Sequence, residues 1–101
     1  MPKIPSFASF SDEQRAAGFP EVLERRWEPN TVIDTHTHPF AVQALVVQGE
    51  MWLTVGSDTK YLRPGDRFAL DRGVEHAERY GADGATYWVG RRHPEKGFAA
   101  K

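Results

Sequence analysis

From Glu21 onward, short segments rich in Val, Thr, Trp, Tyr and Phe are interrupted by turn-forming residues at intervals of about ten residues. A chain punctuated this often leaves little length for helices, and the spacing predicts an all-β sandwich or barrel. Strands are expected near 21–28, 31–38, 41–48, 50–56, 59–62, 67–71, 74–80 and 85–91. Arg63-Pro64-Gly65-Asp66 puts Pro and Gly at the two central positions of a type II turn, the second of which needs a positive φ. Gln48-Gly49-Glu50 and Gly81-Ala82-Asp83-Gly84 read as hairpin connections. Upstream, Met1 to Phe10 reads as an extended arm; Ser11 and Gln14 fit a capping box that opens a short helix, running to about Ala17 and ended by Gly18. The expected organisation is an arm and short helix over 1–20, a β-barrel over 21–93 and a tail over 94–101.

At 101 residues the chain has the length of one domain, and at that size folding buries roughly three-fifths of the unfolded surface. With 40% apolar residues and a net charge of -1, it has the profile of a folded globular protein, and nothing in it asks for a polyanionic partner. The pairs Arg25-Arg26 and Arg91-Arg92 sit in strand-like segments near Glu24 and Glu28, and read as a solvated sheet face rather than a nucleic-acid footprint. The absence of cysteine excludes disulfides, thiolate metal sites and a nucleophilic Cys, so any metal must rest on His, carboxylate or amide groups. No signal-peptide pattern and no stretch of membrane-spanning length is visible, which leads to the expectation of a cytoplasmic protein with no membrane partner.

The run Ala41 to Val47 is apolar at nearly every position except Gln43, so both of its faces should be covered. The second cover must come from the N-terminal arm or from another subunit, and a homodimer is expected.

Side chains alternate along a strand, so His36 and His38 project from one side as neighbours. After the change of direction at His38-Pro39, Gln43 is expected to point at the same interior point. His76 follows a turn at Gly73 and brings in a third imidazole, with Glu78 and Tyr80 on its face of the strand. Three imidazoles and an amide oxygen would leave open positions on a five- or six-coordinate ion. Each His alone reads as an ordinary surface or core residue, and His93 stays in that class.

These residues stand in a pattern that resembles the cupins, a family of small double-stranded β-helix (jelly-roll) barrels defined by two motifs. The first has Gly, five residues, His-x-His, three or four residues, Glu, and a Gly about six further on; Thr35 to Gln43 fits it, with Gly49 closing. Asn30 stands for the first Gly, a mild change because Asn tolerates left-handed backbone, and Gln43 stands for the Glu. In the second motif Gly65, Gly73 and His76 match in register, while Asp71 replaces the Pro and Tyr80 the Asn. The resemblance covers roughly residues 30 to 90. It implies one divalent transition metal (Fe, Ni, Mn or Zn) on His36, His38, Gln43 and His76, with Gln43 as a direct ligand or as a hydrogen-bond donor behind the ligands. Exchange of Glu for Gln would leave the site at net +2.

Two functions follow as expectations. One is a metalloenzyme of dioxygenase, isomerase or lyase type, acting on a small oxygen-rich molecule held in the open metal positions. Tyr80, Tyr87 and Trp88 would be pocket residues, and Glu78 a proton shuttle, although burial statistics place such a Glu at an exposed rim. The other is a non-catalytic ligand-binding or sensor module similar to the effector-binding half of arabinose-type regulators, whose DNA-reading helices are missing here.

Overall fold

The computed structural model describes residues 4–94. Helix α1 (Phe7–Ala16) is followed by β1 (Glu21–Trp27), β2 (Val32–His36), β3 (Ala41–Val55), β4 (Asp58–Leu62), β5 (Arg67–Leu70) and β6 (His76–Arg92). The two long strands, β3 and β6, run antiparallel to one another over most of their length and carry the rest. One half of β6 pairs with β1 and the other with β2, while β3 pairs with β5 and then with β4. Two long strands that bend and exchange partners along their length form a double-stranded β-helix. Among the described residues no helix is long and apolar enough to cross a membrane.

The bend explains why eight expected strands are six. Gly49 and residues 81–84 do not close hairpins; they are bulges within continuous strands. Between the pairs Gly49 with Ala85 and Met51 with Tyr80, four residues of β6 stand opposite the single residue Glu50. That surplus bends β6 and increases its local twist. The strands come so close there that a Cβ on Gly49 would lie 2.1 Å from the carbonyl oxygen of Gly84, so the corner needs glycine. The 63–66 turn forms as expected: the Asp66 N–H donates to the Arg63 carbonyl at 2.8 Å, and Gly65 has φ 97°. Asn30 takes the left-handed conformation expected of it, with φ 60°.

The helix begins four residues before the expected capping box. Ser6, not Ser11, is the N-cap, its Oγ accepting from the Ser9 N–H at 3.0 Å. Ser11 lies within the helix and accepts instead from Arg15 Nε. The reason is tertiary: a start at Phe7 sets Phe10 and Gln14 four residues apart on one face, and both are fully buried against the sheet. Phe7 meets the Trp88 ring edge-on at 5.3 Å, and Phe10 packs on it from 5.9 Å. Burial of Phe10 alone contributes about 2–3 kcal/mol.

Inside the barrel, Val42, Ala44, Val46, Met51, Leu53, Tyr80, Tyr87 and Val89 form the core. Leu45, 1% exposed, points the other way. So β3 is covered on both faces as the sequence required, but the cover comes from within the same chain, whose helix α1 packs on the neighbouring strands β6 and β1. The covered-strand argument for a second subunit therefore falls away.

Candidate metal centre

His36 ends β2, His76 opens β6, and the two are direct cross-strand partners. His38 lies in the segment that turns from β2 into β3; its carbonyl accepts from the Gly73 N–H at 3.0 Å, which ties that segment to the turn before β6. The three rings gather with centroids 4.3 to 5.1 Å apart. Glu78, two residues beyond His76 and on the same face of β6, joins them. One ligand atom from each of His36, His38, His76 and Glu78 lies within 4.8 Å of every other. Donor atoms that share an ion at about 2.1 Å are at most about 4.2 Å apart, so small side-chain adjustments close the shell.

The hydrogen bonds fix which ring nitrogens are available. His36 Nδ1 lies 2.8 Å from the Asp34 carbonyl, and His76 Nδ1 lies 3.0 Å from the Val74 carbonyl. A carbonyl only accepts, so each Nδ1 carries the proton and each Nε2 presents its lone pair. Glu78 Oε2 faces those two atoms, 3.7 Å from His36 Nε2 and 3.4 Å from His76 Nε2. The other carboxylate oxygen accepts a hydrogen bond from the Tyr80 hydroxyl. Burial above all, then Tyr87 and Glu78, raises the pKa of Tyr80, which stays protonated as that donor. Trp27 stacks on the Tyr80 ring at 5.2 Å and holds it in place. Burial, followed by His76 and His36, lowers the pKa of His38 and keeps it in the neutral form that binds metals.

His36, His38, His76 and Glu78 thus form the cluster, Tyr80 and Tyr87 stand beside it, and Gln43 and Trp88 lie elsewhere. Gln43 is not in it. Val42 lines the cavity and belongs to the inner core, so its neighbour Gln43 projects from the opposite face, opposite Gly90 and near the side chain of Gln14. Alternation cannot be carried across residues 37–40, which are not strand, and the inward position of the first motif falls on Val42. The carboxylate comes from Glu78 instead. It is 7% exposed, not at a solvated rim. The four groups therefore carry one negative charge, and a divalent ion would leave them at net +1 rather than +2. Trp88 also faces outward, under α1, where its Nε1 donates to Glu24 at 3.1 Å. Tyr87 lines the cavity, with burial raising its pKa, whereas Tyr80 stands behind Glu78.

The cavity in front of these groups has a volume of about 70 Å³. Its walls include Arg25 and Arg91, which the sequence had placed on a solvated face. The missed signal was alternation: two adjacent residues of a strand point to opposite sides, so one Arg of each pair had to face inward.

A family model described as the cupin domain matches residues 23–89. The chain belongs to the cupin family. Among curated proteins nothing matches this cupin. Solved structures do. An RmlC-like cupin from Shewanella frigidimarina is 21% identical, with a TM-score of 0.64 over 76% of this chain and 68% of that one. KdgF from Halomonas sp. is 18% identical, with a TM-score of 0.62 over 73% and 69%. Oxalate decarboxylase from Bacillus subtilis, in a structure concerned with its Mn(II) centres, is 19% identical, with a TM-score of 0.65 over 74% of this chain and 21% of that one. At these identities the likeness establishes the fold, and the chemistry has to be argued from this cupin's own residues.

Proposed function

We propose that this cupin is a mononuclear metalloenzyme that holds one divalent transition ion on His36, His38, His76 and Glu78 and acts on a small oxygen-rich molecule. The observation that carries the reading is the paired Nδ1 anchoring of His36 and His76, which turns two Nε2 lone pairs and one carboxylate oxygen toward one point. Three imidazoles and a carboxylate suit Fe, Mn, Ni or Zn, and the structural neighbour with Mn(II) centres lends support. When bound, such an ion supplies Lewis acidity for a carbonyl or an enolate.

The chain's own residues do the rest. Tyr80 fixes the Glu78 carboxylate in place and leaves Oε2 directed at the imidazoles, so Glu78 is assigned as a ligand rather than as a free proton carrier. Tyr87, held protonated, offers a hydroxyl donor at the cavity wall. The apolar walls at Phe68 and Leu70 limit the water around the reacting atoms. The cavity is far smaller than the roughly 300–1,000 Å³ of sites for drug-sized ligands, which restricts the substrate to a few heavy atoms. A sensor cupin without metal has less need of a buried carboxylate that faces two imidazoles, which favours the metalloenzyme reading.

Protein purified without a histidine tag should carry close to one transition metal per chain by elemental analysis. His76→Ala should lose the metal while its circular dichroism remains that of the wild type. Sub-stoichiometric metal that this substitution leaves unchanged would overturn the reading.

A further inference from the structure

Two charged side chains face the interior of this barrel without serving the metal centre. Residues 87, 89 and 91 of β6 all line the cavity, as alternation requires, and Arg25 and Trp27 of β1 line it beside them. Arg25 is half-buried, and among the described residues it has no ion pair and no side-chain hydrogen bond. Arg91 is likewise half-buried, its side chain 18% exposed. Among the described residues its Nε has no hydrogen-bond partner, and the one carboxylate near its guanidinium is Glu21, at 3.8 Å from Nη1. Each guanidinium rests on an aromatic ring, Arg25 over Trp27 and Arg91 over Phe40, both at 4.7 Å from the ring centroid. Stacking fixes the plane of the fork and leaves its edge N–H groups unspent.

Holding two such cations in a partly desolvated cavity is costly unless an anion completes them. Glu78 is the one carboxylate among the residues lining this cavity, and its oxygens already face Tyr80 and the imidazoles. A divalent ion beside them would increase the positive excess.

We propose that Arg25 and Arg91 form an anion-holding subsite beside the metal centre, and that the substrate is a short organic carboxylate. This deepens the metalloenzyme reading and rests on it for the chemistry, while the subsite itself stands on the two arginines. One guanidinium edge takes the carboxylate through paired charge-assisted hydrogen bonds, and the other, four register positions along the cavity wall, adds its charge. A second oxygen of the same molecule, from a hydroxyl, a keto group or another carboxylate, reaches toward the imidazoles. Two fixed points on so small a molecule orient it before reaction, and the 70 Å³ cavity excludes long-chain acids.

The test is calorimetric titration of the purified protein with malonate and with its neutral diamide, malonamide, with metal content measured on the same samples. Malonate is expected to bind at least about ten-fold more tightly than malonamide, and added salt should weaken it. Arg25→Gln and Arg91→Gln should each weaken malonate about ten-fold or more with metal content unchanged. Arg91→Lys keeps the charge without the fork and should fall between, which covers the case in which Arg91→Gln does not fold. A protein with its full metal complement whose arginine variants bind malonate like the wild type overturns this inference and leaves the metalloenzyme reading standing. Arginine-dependent malonate binding by a protein that holds no metal does the reverse. Equal binding of malonate and malonamide also overturns the subsite.

Discussion

The two faces of the β3 and β6 pair differ by a single step along the backbone and do opposite work. On the inner face Val42, Tyr87, Val89 and Arg91 border a cavity that carries imidazoles, a carboxylate and guanidiniums. On the outer face, where Leu45 is also buried, Trp88 and Gly90 meet the buried Phe10 and Gln14 of α1. An ordinary half-buried sheet keeps polar residues outward and apolar ones inward. Here the outer side is buried as well, against α1, and the enclosed side combines the apolar core with the chemistry. The outer contact thus adds stability through residues that take no part in the cavity, and it can be altered with little effect on the site.

The largest expected effect is on the outer face. Phe10 is fully buried between α1 and Trp88, so Phe10→Ala should destabilise the fold by about 3–5 kcal/mol in urea denaturation. Metal affinity of the fraction that remains folded should be unchanged. A parallel loss of metal in the folded state would break the separation.

Next comes a matched pair across the faces. Glu78→Gln keeps the shape of the side chain and removes the one carboxylate of the centre, and should weaken metal binding at least about 100-fold, beyond the range for residues that only orient a ligand. Gln43→Ala should leave metal affinity as it is, because Gln43 faces the side of α1. Competition with a metal-sensitive dye measures both. If Gln43→Ala lost metal as Glu78→Gln does, the assignment of faces would be wrong.

Tyr80→Phe sharpens the inner face. It removes the hydroxyl that holds one Glu78 oxygen while keeping the ring that stacks on Trp27. Metal affinity should fall by about ten-fold and stability by about 1 kcal/mol. Wild-type affinity in this variant would show that Glu78 is oriented by its other contacts alone.

How far the sequence could be read follows from the same parity. Turn residues and β-branched segments made the barrel legible, and His76, Glu78 and Tyr80 fell on one face because an unbroken strand joins them. The count failed where the strand stopped: residues 37–40 separate His36 from β3, and no rule carries alternation across them, so Gln43 was aimed inward and Val42 overlooked. Gly49 was read as a turn because a positive φ serves a hairpin and a bulge equally well, and only the approach of Gly84 tells them apart. A capping box points to Ser11, and only the Trp88 ring, on which Phe7 and Phe10 pack, moves the start of the helix to Ser6. The inward Arg25 and Arg91 were available from alternation, but balanced local charge hid them.

The smallest effect lies at the border between the faces, where Glu21 reaches both His93, at 2.5 Å, and the cavity arginine Arg91. The hydrogen bond from His93, with the charges of Arg91 and His93 adding to it and slight burial opposing them, holds the Glu21 carboxyl below its ordinary 4.5. Because the folded protein binds this proton less tightly than the unfolded chain does, the interaction contributes fully above the unfolded value and is lost as pH falls through the lower folded one. Both side chains of the pair are about half exposed, so water screens it and its worth is only about 0.5 kcal/mol. Glu21→Gln should therefore lower the urea midpoint slightly at about pH 6, and the difference from the wild type should vanish as pH falls through the lowered folded value of Glu21. A carboxyl titration by NMR that placed Glu21 at or above 4.5 would show that the contact with His93 does not persist in solution, and would leave the Arg91 guanidinium more open toward the cavity.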